Sequence, residues 1–247
     1  MSNEKTNIFA KRPILSVILI EVCFLLAVFI AGAIATIKQL DYTSPVLISF
    51  IPTAVVLILY FTLKRKWRSF GFKIGQAWRN WLLYLPLLLI LIILCFQGFN
   101  YTAPETILFY LGFSILVGFV EESIYRGLIV HILVPKGIVT AIITSSLLFS
   151  LSHILNSLSG QSIEQTLLQV AYALLLGIVL AQLMIKNGSI YPLILFHTLH
   201  NFIQFIGKGG YNPILDATIL IILVITIVVL SMPSRKIVKT NSGQLTV

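Results

Sequence analysis

The sequence predicts an all-α, polytopic membrane protein of about eight transmembrane helices with both termini cytoplasmic. Three observations point there. First, 58% of the 247 residues are hydrophobic and only 10% charged, too few charges for a soluble domain of this length. Second, long apolar runs recur from one end of the chain to the other, each near the length that spans a bilayer. Third, the basic residues fall in alternate loops, as the positive-inside rule requires. The net charge of +9 would suggest nucleic acid in a soluble chain. Here the loop asymmetry accounts for it, so the partner surface is the lipid bilayer and no nucleic acid is expected.

The eight apolar runs are roughly 14–37, 44–63, 81–99, 105–134, 138–155, 164–185, 189–206 and 213–232. The polar stretch Met1 to Lys11 is not a cleavable signal, and the run after it is long enough to act as an anchor. The second run ends in a basic loop, Lys64 to Asn80, where Trp67, Phe70, Phe72 and Trp78 alternate with cations. That composition suits either an amphipathic segment on anionic headgroups or an ordinary positive-inside loop. The fourth run is too long for one straight span and is expected to tilt, kink or lie partly at the interface. Fourteen of the 17 Lys and Arg residues fall on one side, with only Lys38 and Lys208 on the other and Arg126 inside a span. Asp41, Glu105, Glu164 and Asp216 sit near the poor side. Cys23 and Cys95 lie in apolar runs and read as small buried hydrophobes, with no disulfide framework. The C-terminal Gln244 to Val247 carries no lipidation box. The whole chain, 1–247, reads as a single integral membrane domain.

Within the fourth run stands Val120-Glu121-Glu122-Ser123-Ile124-Tyr125-Arg126. Ionisable groups at such depth cost roughly 2.5–3.5 kcal/mol each on insertion scales, and survive facing a bundle interior or a wet cavity. Glu122 and Arg126 are four apart and can pair on one helix face. That pair alone is explained equally well as a structural lock between helices. Glu121 has no partner inside the motif, which points to chemistry.

Two further polar motifs interrupt later spans: Phe149-Ser150-Leu151-Ser152-His153, and His197-Thr198-Leu199-His200-Asn201. His197 and Asn201 share a face at i, i+4. A single intramembrane histidine is most simply a helix contact, but Glu121, His153, His197 and Asn201 would each face lipid unless they converged. They are therefore expected to line one cavity. Glu21 reads as a polar helix contact and His131 as structural, and His200 stands at the margin of the site. Counting 1.5 Å per residue puts His197 about 12 Å deep and His153 about 24 Å deep. So span five either starts below the interface or bends back at its end.

In order, Glu-Glu-x-x-x-Arg, Phe-x-x-x-His and His-x-x-x-Asn resemble the CPBP (Abi) family of CAAX proteases and bacteriocin-processing enzymes, which includes the type II CAAX prenyl endopeptidase. The resemblance covers about 105–206. It implies an intramembrane endopeptidase (a hydrolase) in which Glu121 with His153 activates a water. His197 and Asn201 would donate to the oxyanion, and Glu122 and Arg126 would pair and orient Glu121. The family is often labelled a metalloprotease. A zinc ion, if used, would take Glu121, His153 and His197, although no HExxH is present; the alternative is a metal-free glutamate mechanism with no cofactor. The expected partner is a peptide or membrane-protein substrate, in a multi-pass protein of a prokaryotic cell membrane. Two rivals remain at this stage: a non-catalytic peptide-binding or bacteriocin self-immunity protein, and a small proton-coupled transporter.

Overall fold

Proline opens most of the helices. In a computed structural model, which describes residues 11–77, 80–159, 161–209 and 212–232, five of eight long helical segments have Pro at their first or second position. There its missing N–H costs nothing and its fixed φ favours the helix. The segments are α1 (Pro13–Ile37), α2 (Ser44–Leu63), α3 (Trp81–Cys95, its first turn 3-10), α4 (Pro104–Lys136), α5 (Ile138–Ser152), α6 (Ile163–Asn187), α7 (Tyr191–Ile206) and α8 (Pro213–Ser231). Ser162 caps α6 by accepting the Gln165 N–H, and Gly188 ends it in the left-handed conformation that glycine tolerates best. Lys5, Trp78, Arg79, Gly160, Arg235, Lys236 and Lys239, used in the sequence reading, lie outside the described residues, as do both chain ends.

The fold is all-helical, with no β-strand among the described residues beyond one isolated bridge between Phe99 and Gly207. Six helices, α1, α2, α4, α6, α8, and α5 together with its 3-10 continuation to Asn156, are long and apolar enough to cross a membrane. The third and seventh expected spans are helices of 15 and 16 residues, short of a full crossing. The protein is thus a multi-pass membrane protein with six full-length candidate spans among the described residues, where the sequence suggested about eight.

Two apolar clusters fill the bundle. One joins α1, α2, α4 and α5 through Phe24, Phe61, Val120 and Phe149. The other joins α3, α6, α7 and α8 through Ile90, Leu180, Leu193 and Leu223. Equally large apolar side chains cover the outside, among them Leu19, Ile51, Leu89 and Val224. Both faces of a span here are apolar, so hydrophobicity does not tell inside from outside.

That is why one sequence expectation needs correcting: Cys23 and Cys95 are exposed, on the outer apolar surface, not buried. Of the two alternatives left open for the basic loop, its described aromatics favour the ordinary loop, since they turn inward. Phe70 and Phe72 are buried, Phe61 stacks within 5.1–5.6 Å of Trp67, Phe70 and Phe72, and Phe70 meets His131 at 5.0 Å.

The long fourth helix is α-helical from Pro104 to Glu122, then π-helical over Ser123–Ile129, with a short α-helical turn and a 3-10 turn completing it to Lys136. The expected irregularity near the motif is this widened stretch. Val130 N–H reaches back five residues to the Tyr125 carbonyl, which also accepts from Ser145 Oγ at 2.9 Å. Such segments are rare and recur at functional sites.

Candidate active site

Glu121 and Glu122 close the α-helical part of α4, and a glycine one turn earlier sets their distance from α7. A Cβ on Gly118 would lie 2.8 Å from Thr198 Oγ1 and 3.2 Å from the Ile194 carbonyl. Only glycine lets the two helices approach so closely. The approach places the His197 ring between both carboxylates, with Nδ1 2.8 Å from Glu122 Oε1 and Nε2 3.2 Å from Glu121 Oε2. Gly118→Ala should force α4 and α7 apart at a cost of about 1–3 kcal/mol, as overpacking does. In a helix interior Gly→Ala otherwise stabilises, so a fall in thermal stability identifies the contact; no fall would show that the approach is not tight.

Glu122 Oε1 also accepts from Arg126 Nη1 at 2.8 Å, with both side chains fully buried. Arg126 Nη2 donates to the Gly177 carbonyl at 3.4 Å, and its guanidinium lies 4.3 Å from the Phe149 ring centroid. The expected Glu122–Arg126 pair is therefore present. It meets Glu121 through the His197 ring, a bridge the sequence reading did not foresee. Glu21 is buried on α1, where its Oε1 accepts from Tyr125 O–H at 3.4 Å.

His153 sits where α5 gives way to a 3-10 turn, His153–Ser159. The tightened end packs against α1 and α6, so His153 stands at a contact between three helices. His153 Nδ1 is 2.8 Å from the Phe149 carbonyl, which can only accept, so Nδ1 carries the proton and Nε2 is left free. Phe149 is the hub beneath: its ring lies 4.9 Å from that of His153 and 5.9 Å from that of His197.

Glu121, His153, His197 and Asn201 line one cavity of about 980 Å³. His200 does not line it. Its Nε2 accepts from Tyr172 O–H at 2.6 Å, and its Nδ1 lies 3.3 Å from Asn201 Oδ1. The tautomer that satisfies both bonds donates Nδ1–H to Asn201, leaving the Asn201 amide N–H groups for other partners. The sequence reading missed the far wall, Gln161, Gln165 and Gln169, although Gln165 and Gln169, four apart on α6, are legible as one helix face.

His153 holds its Nδ1 proton on an oxygen acceptor, as metal-ligating histidines do, whereas both ring nitrogens of His197 face carboxylates. Among the described residues no three His, Cys, Asp or Glu side chains are grouped closely enough to hold a metal ion.

No curated protein and no solved structure matches the chain. The paired carboxylates and the facing histidines lie in residues 103–203, and that stretch matches the family model described as type II CAAX prenyl endopeptidase Rce1-like. The match supports an intramembrane protease at the level of the family, the one its three motifs resemble.

Proposed function

We propose that the protein is an intramembrane endopeptidase that hydrolyses a peptide bond with water activated by Glu121 and His153. The observation that carries this is the convergence of both groups, with His197 and Asn201, on one cavity. A water between the Glu121 carboxylate and the free Nε2 of His153 loses a proton to Glu121 as its oxygen attacks the peptide carbonyl. The oxyanion forms beside the Asn201 amide and His197 Nε2. Such donors contribute most when already aimed at the developing charge, and Glu122 and His200 hold these two in place. Glu121 then returns its proton to the departing amine as the C–N bond breaks, so the cycle closes without a covalent intermediate. Glu122 and Arg126 are positioning residues. A peptide-processing role in a prokaryotic cell membrane follows from this reading.

The test is cleavage of quenched membrane peptides by the protein in proteoliposomes. His153→Ala should abolish turnover. Asn201→Ala, which removes one oxyanion donor, should lower kcat by about 10²–10³ with little change in KM. Unchanged kcat in both variants would refute the mechanism.

A further inference from the structure

The cavity has a direction. Its floor is buried: Phe24, Phe50, Glu121 and His197. Of its exposed lining residues, Phe29 lies in the body of α1, and Ala33, Thr36, Ile37, Tyr42, Gln165 and Gln204 lie toward one end of the bundle. Contacts fix which end that is. Tyr42 O–H meets Tyr110 O–H at 2.6 Å, and Tyr110 stacks on Phe205 at 5.2 Å. Two residues on, Gly207 accepts from Asn100 Nδ2, and Lys208 N–H donates to the Gly98 carbonyl. The mouth therefore shares its end with the Lys38–Tyr42, Gly98–Asn100 and Gly207–Lys208 loops.

The basic residues are at the opposite end. Gly71 accepts from Ile190 N–H, Phe72 packs on Tyr191 at 5.7 Å and Phe70 packs on His131. These contacts gather the Lys64–Lys73 loop, the turn after Lys186 and the end of α4 at Lys136. Arg12 starts α1 at that same end, antiparallel to α2. At the mouth end the described cations are Lys38 and Lys208 alone. Loops rich in Lys and Arg stay on the cytoplasmic side during insertion.

The lining narrows the occupant. One wall, from α1 and α2, is apolar, with Val28, Phe29, Val46 and Phe50. The other carries neutral amides, with Asn156, Gln161, Gln165, Gln169 and Gln204. Asn156 donates to Gln169 at 2.9 Å, tying the His153 turn to α6. Among the described residues no Lys or Arg lines the cavity, and Glu121 is its one carboxylate. Side-chain amides offer both donors and acceptors and so suit a peptide backbone. No Lys or Arg there would pair with a terminal carboxylate, a phosphate or an acidic side chain.

We infer that the cavity is loaded from the extracytoplasmic face by an extended, uncharged peptide segment, its apolar side on α1 and α2 and its backbone on the amides of α6. The word substrate rests on the endopeptidase reading above; the face of entry does not. Exported peptides and outward-facing juxtamembrane segments have this chemistry and this location, whereas a cytosolic C-terminal tail does not.

Two measurements test it. On a Cys23→Ala, Cys95→Ala background, Gln165→Cys and Lys66→Cys are labelled with a membrane-impermeant maleimide in spheroplasts. Gln165→Cys should label at once, and Lys66→Cys only after permeabilisation; the reverse pattern overturns the inference. Spheroplasts and everted vesicles are then given an impermeant quenched peptide of uncharged residues, and a copy with two lysines at its centre. Spheroplasts should cleave the neutral peptide in preference to the lysine copy. Cleavage confined to everted vesicles, or equal cleavage of both peptides, also overturns it. Outside labelling of Gln165→Cys with no cleavage of any peptide, even in detergent, would uphold the face of entry and sink the endopeptidase reading instead.

Discussion

Replacing Glu121 by Gln is expected to give a well-folded, inactive protein. The amide keeps the size of the side chain and a hydrogen bond to His197 Nε2, 3.2 Å away in the parent, but it cannot accept the proton of an attacking water. Loss of a general base typically lowers rate by about 10²–10⁴. The measurement is kcat on a cleaved peptide beside the thermal unfolding midpoint. A midpoint close to the parent's with turnover at background is the expected pair. Full biological activity from Glu121→Gln in cells would move the function from catalysis to peptide capture, as in an immunity protein.

Arg126→Ala should fail in the opposite way. The guanidinium is fully buried, bonded to Glu122, in reach of the Gly177 carbonyl and stacked over Phe149. Its removal leaves the Glu122 carboxylate in the bundle with His197 as its remaining partner. Breaking a buried pair by removing one member costs about 3–5 kcal/mol, a large part of any domain's stability. The variant should express poorly and lose its monodisperse peak in size-exclusion chromatography. Arg126→Lys, which keeps the charge but not the planar fork, should recover part of that loss. A stable Arg126→Ala protein would show that Glu122 does not depend on its partner.

Much of this was legible in the sequence because lipid raises the cost of every polar group. Glu121, His153, His197 and Asn201 stood out against apolar runs, and the requirement that they avoid lipid is enough to bring them together. Pro13, Pro45, Pro104 and Pro213, at helix starts, were a further signal that the sequence reading did not use. What could not be read was anything that depends on which face of an apolar helix points inward. Cys23 and Cys95 went to the wrong surface for that reason, and the two alternatives for Trp67, Phe70 and Phe72 could not be told apart. The His197 bridge was hidden too. It depends on the separation of α4 and α7, which Gly118 sets through space and no spacing along the chain reports. Two of the eight apolar runs proved too short for a full crossing because their helices stop at Cys95 and start at Tyr191, leaving the flanking residues to loops.

The widened turn at Ser123–Ile129 has a geometric consequence for how one helix serves two sets of neighbours. An α-helix advances about 100° per residue, so one surplus residue in a turn shifts the phase of everything beyond it by roughly that angle. Before the turn, α4 keys onto α7 and α2; beyond it, the helix meshes with α5 and α1. A uniform helix would offer one stripe to both sets and could be in register with only one of them. The extra residue acts as a phase shifter between two gears. It lets the carboxylates face the histidine of α7 while the rest of the rod stays engaged with α5, the helix that delivers His153.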